Sequence, residues 1–462
     1  MSATTPQELV EHALATSTSD GCVVIVRDST SANLRWANNT LTTNGVMRDL
    51  SMTVVAVHAG AQGAAAGSVT ASAASTDQVE RIAAQADAAA RAAGPAEDAA
   101  ELVGGDACAD WFDPSGETSI EVYADVAPAL GEAFGRATAE ERVLYGFVDH
   151  DVTTTYLGSS TGLRLRHVQP SGHWGCTAKP ADLSDSAWVG GATRDFTDVD
   201  VPAFDAELTR RLAWGRRRVE LPAGRHDTVL PPAAVADLMI YAYWTASARA
   251  AADGQTVFSR PGGGTRIGDR LTEQPFRMWS DPAHPGLQAA PFVVAPSSTD
   301  VSSVFDSGLP VGRTDWIADG TLSALLQTRH SAALTGQPTT PYVDNLVVAV
   351  DGASGTTEDL VAGVERGLLV TCLWYIREVD PQTLLLTGLT RDGVYLVEGG
   401  EVTGAVNNFR FNESPVDLLR RFTAASATVP SFSREWGDMF TRTATPALRV
   451  PDFNMSTVSA AQ

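Results

Sequence analysis

A serine in the stretch GSSTG, residues 158–162, stands where a hydrolase nucleophile could stand. The stretch matches G-x-S-x-G with Ser160 in the central position, and this pattern exposes a nucleophile only on a sharp strand-to-helix turn. The residues that follow, LRLRHV, alternate between apolar and polar side chains, which is the period of a strand. We therefore predict that GSSTG is a β-turn.

Three consecutive glycines in RPGGGTRIGDR, residues 260–270, have the composition of a phosphate-binding loop. Such a loop continues into Gly-Lys-Ser/Thr and lies between a strand and a helix. This stretch has neither the lysine nor that frame. We expect a surface loop, whose movement could admit a ligand.

Histidines provide the main candidate for a metal site within the chain. His167 and His173 flank a Pro-Ser-Gly sequence that predicts a hairpin turn, so the two rings could face each other across it. A third ligand would have to come from elsewhere, for example from Asp149 or Asp151 beside His150. The alternative is that all of these are ordinary histidines of strands and loops.

The cysteines do not have the spacing of a zinc site or of a disulfide framework. No CxxC pair occurs among the four, which are Cys22, Cys108, Cys176 and Cys372. We expect buried, reduced thiols in a cytosolic protein. A catalytic thiol, with Cys372 as the candidate, is the alternative.

Charge and hydropathy narrow the classes of partner. The chain has 462 residues, with 33 Lys+Arg against 55 Asp+Glu and a net charge of −22. Such a surface repels phosphate backbones, so we expect no direct nucleic-acid partner. The N-terminus predicts an amphipathic helix that begins at Thr5-Pro6 and not a signal peptide. Since no long apolar run occurs either, we expect a cytoplasmic protein without a membrane span.

The elements that would position these residues change in character along the chain. Residues 1–220 predict an α+β domain, with strand runs in a meander, a turn at Asn44-Gly45 and long helices. Residues 225–462 predict a β-rich domain around one central helix at about residues 232–252. The stretch TDWIADGTLSALLQTRHSAALTG, residues 314–336, is interpreted as strand-rich. The predicted fold class is therefore α+β, with two domains.

Five stretches, in this order and spacing, resemble one known family. They are VIVRDSTSANLRWANNTLTTNGVMRDLSMTVVAV (24–57), TTTYLGSSTGLRLRH (153–167), TDWIADGTLSALLQTRHSAALTG (314–336), NLVVAVDGASGTTEDLVAGVERGLLVT (345–371) and LLLTGLTRDGVYLVEGGEVTGAVNNFRF (384–411). Together they resemble the TldD/PmbA family, the "modulator of DNA gyrase" metallopeptidase subunits. The resemblance extends over nearly the whole chain.

The resemblance implies two types of subunit. A TldD-type subunit has a His-Glu-x-x-x-His helix and a Cys near its C-terminus that hold a metal, with the Glu activating water. A TldE/PmbA-type subunit lacks these residues and pairs with the TldD type. In this chain Ile240 and Tyr241 stand where His-Glu would stand, and Thr245 stands at the second His (Trp244 if the alignment shifts by one). The C-terminal region has Met439 and no Cys.

The resemblance therefore implies a non-catalytic, TldE/PmbA-like subunit. Its partner would be a TldD-type subunit that supplies zinc and catalysis, and its substrates would be unfolded or precursor peptides. No cofactor is expected in this chain. Two alternatives remain open, namely a stand-alone peptidase whose site has no familiar motif and a non-enzymatic regulatory or binding protein.

Overall fold

A computed structural model describes residues 4–72 and 75–459, and the fold is 22% helical and 39% strand. The α+β prediction is confirmed. The helices are α1 (Pro6–Thr16), α2 (Thr76–Ala92), α3 (Val126–Ala139), α4 (Val201–Trp214), α5 (Pro232–Trp244), α6 (Ala248–Ala252), α7 (Arg329–Thr335), α8 (Thr357–Ala362) and α9 (Pro415–Arg421).

The strands of the N-terminal half are β1 (Gly21–Ala37), β2 (Thr40–His58), β3 (Ala65–Ser72), β4 (Arg142–Ser159), β5 (Arg164–Pro180) and β6 (Ala187–Thr193). They form one antiparallel sheet in the order β3-β2-β1-β4-β5-β6. β1, β4 and β5 are each at least 17 residues long, so the centre of the sheet is a broad platform.

Two predicted turns in this sheet are wrong. The turn between β1 and β2 lies at Asn38 and Asn39, which have φ of 51° and 58°, a region that asparagine tolerates and that a tight hairpin requires. Asn44-Gly45 instead lies within β2, opposite β1.

The Pro-Ser-Gly sequence at residues 170–172 likewise continues β5 along β4. β6 pairs with β5 only from Gly172 onward, so the open edge beside Pro170 tolerates a residue without an N–H.

Four helices cover one face of the N-terminal sheet. The even-numbered residues of β1 face them, with Val24 packed in a core with α1 and α2, and Leu34 in a core with α3 and α4. The predicted N-terminal cap of α1 is confirmed, since Thr5 and Glu8 form a capping box. The odd-numbered residues of β1 face the C-terminal half, where Ile25 packs near Phe292.

Two further sheets build the C-terminal half. The six-stranded one has the order β11-β10-β9-β12-β21-β20, and the larger one has the order β14-β15-β18-β22-β8-β13-β16-β17-β7, with β19 beside β22. The strands are β7 (Arg218–Val219), β8 (Gly224–Leu230), β9 (Phe276–Ser280), β10 (Thr314–Ala318), β11 (Thr321–Leu322), β12 (Leu346–Val350), β13 (Arg366–Val370), β14 (Leu373–Asp380), β15 (Leu385–Thr390), β16 (Val394–Glu398), β17 (Glu401–Val406), β18 (Phe409–Glu413), β19 (Ala424–Ala425), β20 (Val429–Ser431), β21 (Thr443–Thr445) and β22 (Leu448–Val458).

The central helix of this half is shorter than predicted. α5 packs against β20 and β21 of one sheet and β8 of the other, and its apolar residues lie in the largest core of the chain. It ends at Trp244, because Ser247 caps a separate helix, α6, through its bond to the N–H of Ala250. The stretch predicted as strand-rich at residues 314–336 also contains α7. The domain boundary at residues 221–224 lies between β7 and β8 and stays a prediction.

Candidate functional site

The three residues that the resemblance aligns with the metal motif lie at the C-terminal end of α5. Ile240 is fully buried in the apolar core, and Tyr241 is half-buried at its edge. Thr245 caps the helix, and its hydroxyl donates to the carbonyl of Tyr241 at 3.1 Å.

A C-terminal segment, residues 433–440, packs against this part of α5. Trp436 donates its indole N–H to the backbone carbonyl of Asp237 at 2.8 Å. Its ring centroid lies 5.6 Å from that of Tyr241 and 5.3 Å from that of Trp244. Aromatic rings thus fill the space between the helix and the segment. Met439, in the region where the family motif would have its Cys, is largely exposed.

Asp237 anchors the same segment from within the helix. Its Oδ1 accepts a hydrogen bond from the Ser433 hydroxyl at 2.5 Å and from the Glu435 N–H at 3.0 Å. Its Oδ2 is buried and has no partner among the described residues. Burial raises the pKa of Asp237 from 3.8 to about 7, against the lowering effect of the Ser433 bond.

The groups at this position do not fit zinc. Zinc in proteins takes thiolate, imidazole and carboxylate ligands, usually three or four of them. Here isoleucine, threonine and three aromatic rings surround the motif positions, and Asp237 is already bonded to Ser433 and to the N–H of Glu435. The Glu435 carboxylate accepts from the N–H groups of Tyr375 and Ile376, and the sulfur of Cys372 accepts from Arg434. Across residues 4–72 and 75–459, no group of three or more His, Cys, Asp or Glu side chains could hold a metal ion.

Arg434 connects the two halves of the chain next to this helix. Its guanidinium lies 4.6 Å from the ring centroid of Trp188 on β6 and 4.5 Å from that of Trp374 on β14. It also donates to Asp392 at 2.9 Å and to the sulfur of Cys372 at 3.3 Å. Burial raises the pKa of Cys372 to about 12, so this thiol is protonated and a poor nucleophile.

The proposed histidine pair is not brought together. His167 and His173 lie on the same strand and the same face, opposite Thr155 and Asp149 of β4. Six residues of strand separate them by about 20 Å. His150 uses both ring nitrogens, toward the Thr118 hydroxyl at 2.7 Å and the Arg194 carbonyl at 2.8 Å.

The remaining motif residues have structural roles. Ser160 lies in the turn between β4 and β5, as predicted, and its hydroxyl accepts from the N–H of Cys22 at 3.0 Å. The glycine-rich stretch is an exposed loop, also as predicted, and its Arg260 pairs with Asp269. All four cysteines are free thiols, and only Cys108 is not fully buried.

The feature that the sequence did not reveal is a cleft on the uncovered face of the N-terminal sheet. Three adjoining cavities of about 500, 550 and 470 Å³ lie between this face and loops of the C-terminal half. We call them together the sheet cleft. Its floor is a polar row along β4 and β5. Gln169 lines all three cavities, Thr153 lines those of 500 and 470 Å³, and Ser171 lines those of 550 and 470 Å³.

One end of the sheet cleft contains an unpaired cation. Arg27 is the one lysine or arginine among the described residues that line the 500 Å³ cavity, and it has no ion pair within residues 4–72 and 75–459. Desolvation by the cleft walls lowers the pKa of its guanidinium, against the attraction of Asp344. Asp344 itself pairs with Arg442, and Asp306 pairs with Arg329 at 2.6 Å.

The other end of the sheet cleft is acidic. Asp149, Asp151 and Asp438 line the 470 Å³ cavity. Desolvation raises the pKa of Asp149, against the attraction of His173. In the 500 Å³ cavity, burial lowers the pKa of His167, so this ring is neutral at pH 7.

A separate cavity of about 570 Å³ lies between α4 and the larger C-terminal sheet. Both of its arginines are paired, Arg210 with Glu358 at 3.1 Å and Arg211 with Glu207 at 2.6 Å. Among the described residues that line it, there is therefore no unpaired cation for a ligand, in contrast to the sheet cleft.

Within the part of the chain that the structure describes, none of the helices has both the length and the apolar character that a membrane crossing requires.

Comparison with known proteins identifies the relatives of this chain. Residues 223–457, just over half of the chain, match the family model of the PmbA/TldA metallopeptidase C-terminal domain. TldE from Thermococcus kodakarensis has 15% identity and a TM-score of 0.76, over 97% of this chain and 99% of that one. A Thermotoga maritima MSB8 protein, named as a candidate modulator of a DNA gyrase, has 15% identity and a TM-score of 0.75, over 97% of this chain and 99% of that one.

A protein from Bacteroides thetaiotaomicron VPI-5482 with the corresponding name has 13% identity and a TM-score of 0.75, over 98% of both chains. At such identities the likeness to these structures shows a shared fold and no more. A sequence search of curated proteins finds no match.

Proposed function

The chain belongs to the PmbA/TldD metallopeptidase family, and on that premise we propose that it is the non-catalytic, TldE/PmbA-type subunit of a heteromeric cytoplasmic zinc metallopeptidase. A TldD-type partner supplies the zinc and the general base. The complex degrades or processes unfolded or precursor peptides, and this chain holds no cofactor of its own.

The observation that carries this proposal is the packing of α5. The positions of the family's metal motif hold Ile240, Tyr241 and Thr245. Trp436, from the segment where the family's Cys would lie, packs its ring 5.6 Å from that of Tyr241. The helix and the segment thus lie as close together as two elements that share a metal ion would have to lie. Apolar and aromatic side chains, and not metal ligands, fill the contact between them. Such a locus supports a structural role for this helix.

The alternatives have less support. A thiol peptidase would need a thiolate, and Cys372 is buried with a pKa of about 12. A metal site at His167 and His173 would need rings a few ångströms apart, and these lie about 20 Å apart along one strand. A nucleic-acid-binding regulator would need a basic face on a chain with a net charge of −22.

The test is co-expression of this chain, with an affinity tag, and a TldD-type protein of the same source. We expect the two to co-purify, with zinc in the complex and none in this chain purified alone. Stoichiometric zinc in the lone chain, or a TldD-type protein that never co-purifies and cleaves peptides fully by itself, would contradict the proposal.

A further inference from the structure

We propose that the sheet cleft of this chain binds the C-terminal carboxylate of an extended peptide, with the carboxylate held by Arg27. The inference deepens the proposed function and rests on it in taking peptides as the ligands. It assigns to the non-catalytic chain a site that binds the C-terminal end of a peptide. The zinc-bearing partner would then act on a chain whose terminus is fixed here.

Arg27 has the position of a ligand-binding cation. It lies on β1, the strand at the centre of the N-terminal sheet, between Ser51 of β2 and Thr155 of β4. Its side chain points from the face opposite α1 and α2 and lines the 500 Å³ cavity. Water reaches the side chain, yet the walls of the cavity desolvate the guanidinium enough to lower its pKa. A partly desolvated cation binds an anion more strongly than a cation in bulk water.

The charges around Arg27 leave one positive charge uncompensated. Each carboxylate in this cavity has its own arginine, since Asp344 pairs with Arg442 and Asp306 pairs with Arg329. A guanidinium can form two parallel hydrogen bonds with a carboxylate, so that group is its best complement. The chain as a whole has a charge of −22 and repels anions elsewhere.

The opposite wall of the cavity suits the side chain of a terminal residue. Phe292, Val293, Val294 and Tyr342 line it. A volume of about 500 Å³ with a largely apolar wall and a few polar and charged groups is typical of a small-ligand site. The site therefore favours an apolar residue at the end of the peptide.

The rest of the sheet cleft fixes the direction of the peptide. From Arg27 the floor continues with the polar side chains of Thr153, Gln169 and Ser171, which can bond to peptide groups. Asp149 lies opposite the sixth residue of β1 beyond Arg27, about 20 Å along the strand. That acidic end attracts an amino terminus, so a peptide of about six residues would span the cleft from end to end.

The first experiment needs no variant. Isothermal titration calorimetry with the purified full chain would compare three alanine-rich hexapeptides. One ends in phenylalanine with a free carboxylate, one is its C-terminal amide, and one is the amide with aspartate as the next-to-last residue. We expect the free acid to bind about 10- to 100-fold more tightly than either amide, because a charge-assisted bond is lost. Equal affinity for the free acid and either amide would overturn the proposal.

The second experiment assigns the effect to Arg27. Arg27→Gln should weaken binding of the free acid by about 10- to 100-fold and leave the amides unchanged. Arg81→Gln removes the same charge from an exposed position of α2, on the opposite side of the sheet, and should leave all three affinities unchanged, which makes it the control. A loss of free-acid affinity in Arg81→Gln as large as in Arg27→Gln would overturn the assignment. A chain that pairs with its TldD-type partner but does not distinguish acid from amide would contradict this site and leave the subunit role intact.

Discussion

The buried carboxyl of Asp237 provides the most quantitative prediction. The change is Asp237→Asn, which keeps the oxygen that accepts from Ser433 and from the N–H of Glu435. The amide nitrogen takes the place of Oδ2, which has no partner among the described residues. The substitution therefore removes the ionisation and leaves the shape and the two accepted bonds in place.

The magnitude follows from the pKa of the folded state. Burial raises the pKa of Asp237 from 3.8 to about 7, so between these values the folded chain binds a proton that the unfolded chain does not. The contribution of Asp237 to the free energy of unfolding therefore falls by about 1.4 kcal/mol for each pH unit as the pH rises through this window. It is flat above pH 7, and the full change is about 4 kcal/mol.

Urea unfolding of the two proteins at pH 5, 6, 7 and 8 would measure this difference. Asparagine does not titrate. We therefore expect the free energy of unfolding of the variant, relative to that of the natural chain, to rise by about 3 kcal/mol between pH 5 and pH 8. The difference at each pH cancels the other groups that titrate, which are common to both proteins. A difference that is constant from pH 5 to pH 8 would refute the reasoning, since it would mean that Asp237 is ionised throughout.

Three further predictions concern the neighbours of α5. Trp436→Phe keeps a ring against the helix and loses the 2.8 Å indole bond, so we expect a loss of about 1–2 kcal/mol in urea unfolding; no loss would contradict the packing described. Arg434→Lys loses the planar stacking between two indole rings, so we expect the free energy of unfolding to fall by about 1–2 kcal/mol in the same assay. A stability equal to that of the natural chain would contradict this role of the stacking. The triple change Ile240→His, Tyr241→Glu and Thr245→His should bind no stoichiometric zinc and hydrolyse no peptide, measured on the chain alone, because the Cys ligand is missing and aromatic rings fill the space. Zinc-dependent hydrolysis by that variant would contradict this account of the site.

The fold class and the main helices could be predicted because their signals are local. The sequence signals for α5 are the prolines at its start and an apolar run, in which almost every residue is buried. Its end could not be predicted, because Thr245 and Ser247 act as caps only through bonds that depend on how the chain turns. Asn38-Asn39 and Asn44-Gly45 are both plausible turn sequences. The register of β1 against β2 decides between them.

The sheet cleft could not be predicted, because it depends on contacts between distant parts of the chain. Arg27 is one charged residue in a strand, and its sequence neighbours do not show that it lacks a partner. Its position in a cavity becomes visible only in the folded chain, where loops containing Phe292 and Tyr342 cover this face of the sheet. The Trp188–Arg434–Trp374 stack likewise joins three elements far apart in sequence. The strict alternation of β1, with Arg27 and Arg35 facing the same side, is the one sequence signal that pointed there.

The central claim is that this chain supports catalysis by a partner without supplying the reacting groups. The most direct measurement is peptide hydrolysis by the co-expressed pair with one motif position changed at a time. We predict that replacing the motif glutamate of the TldD-type partner by glutamine abolishes hydrolysis, and that Tyr241→Phe at the matching position of this chain leaves the rate unchanged. Loss of hydrolysis with Tyr241→Phe, or its persistence without the partner's glutamate, would contradict the claim.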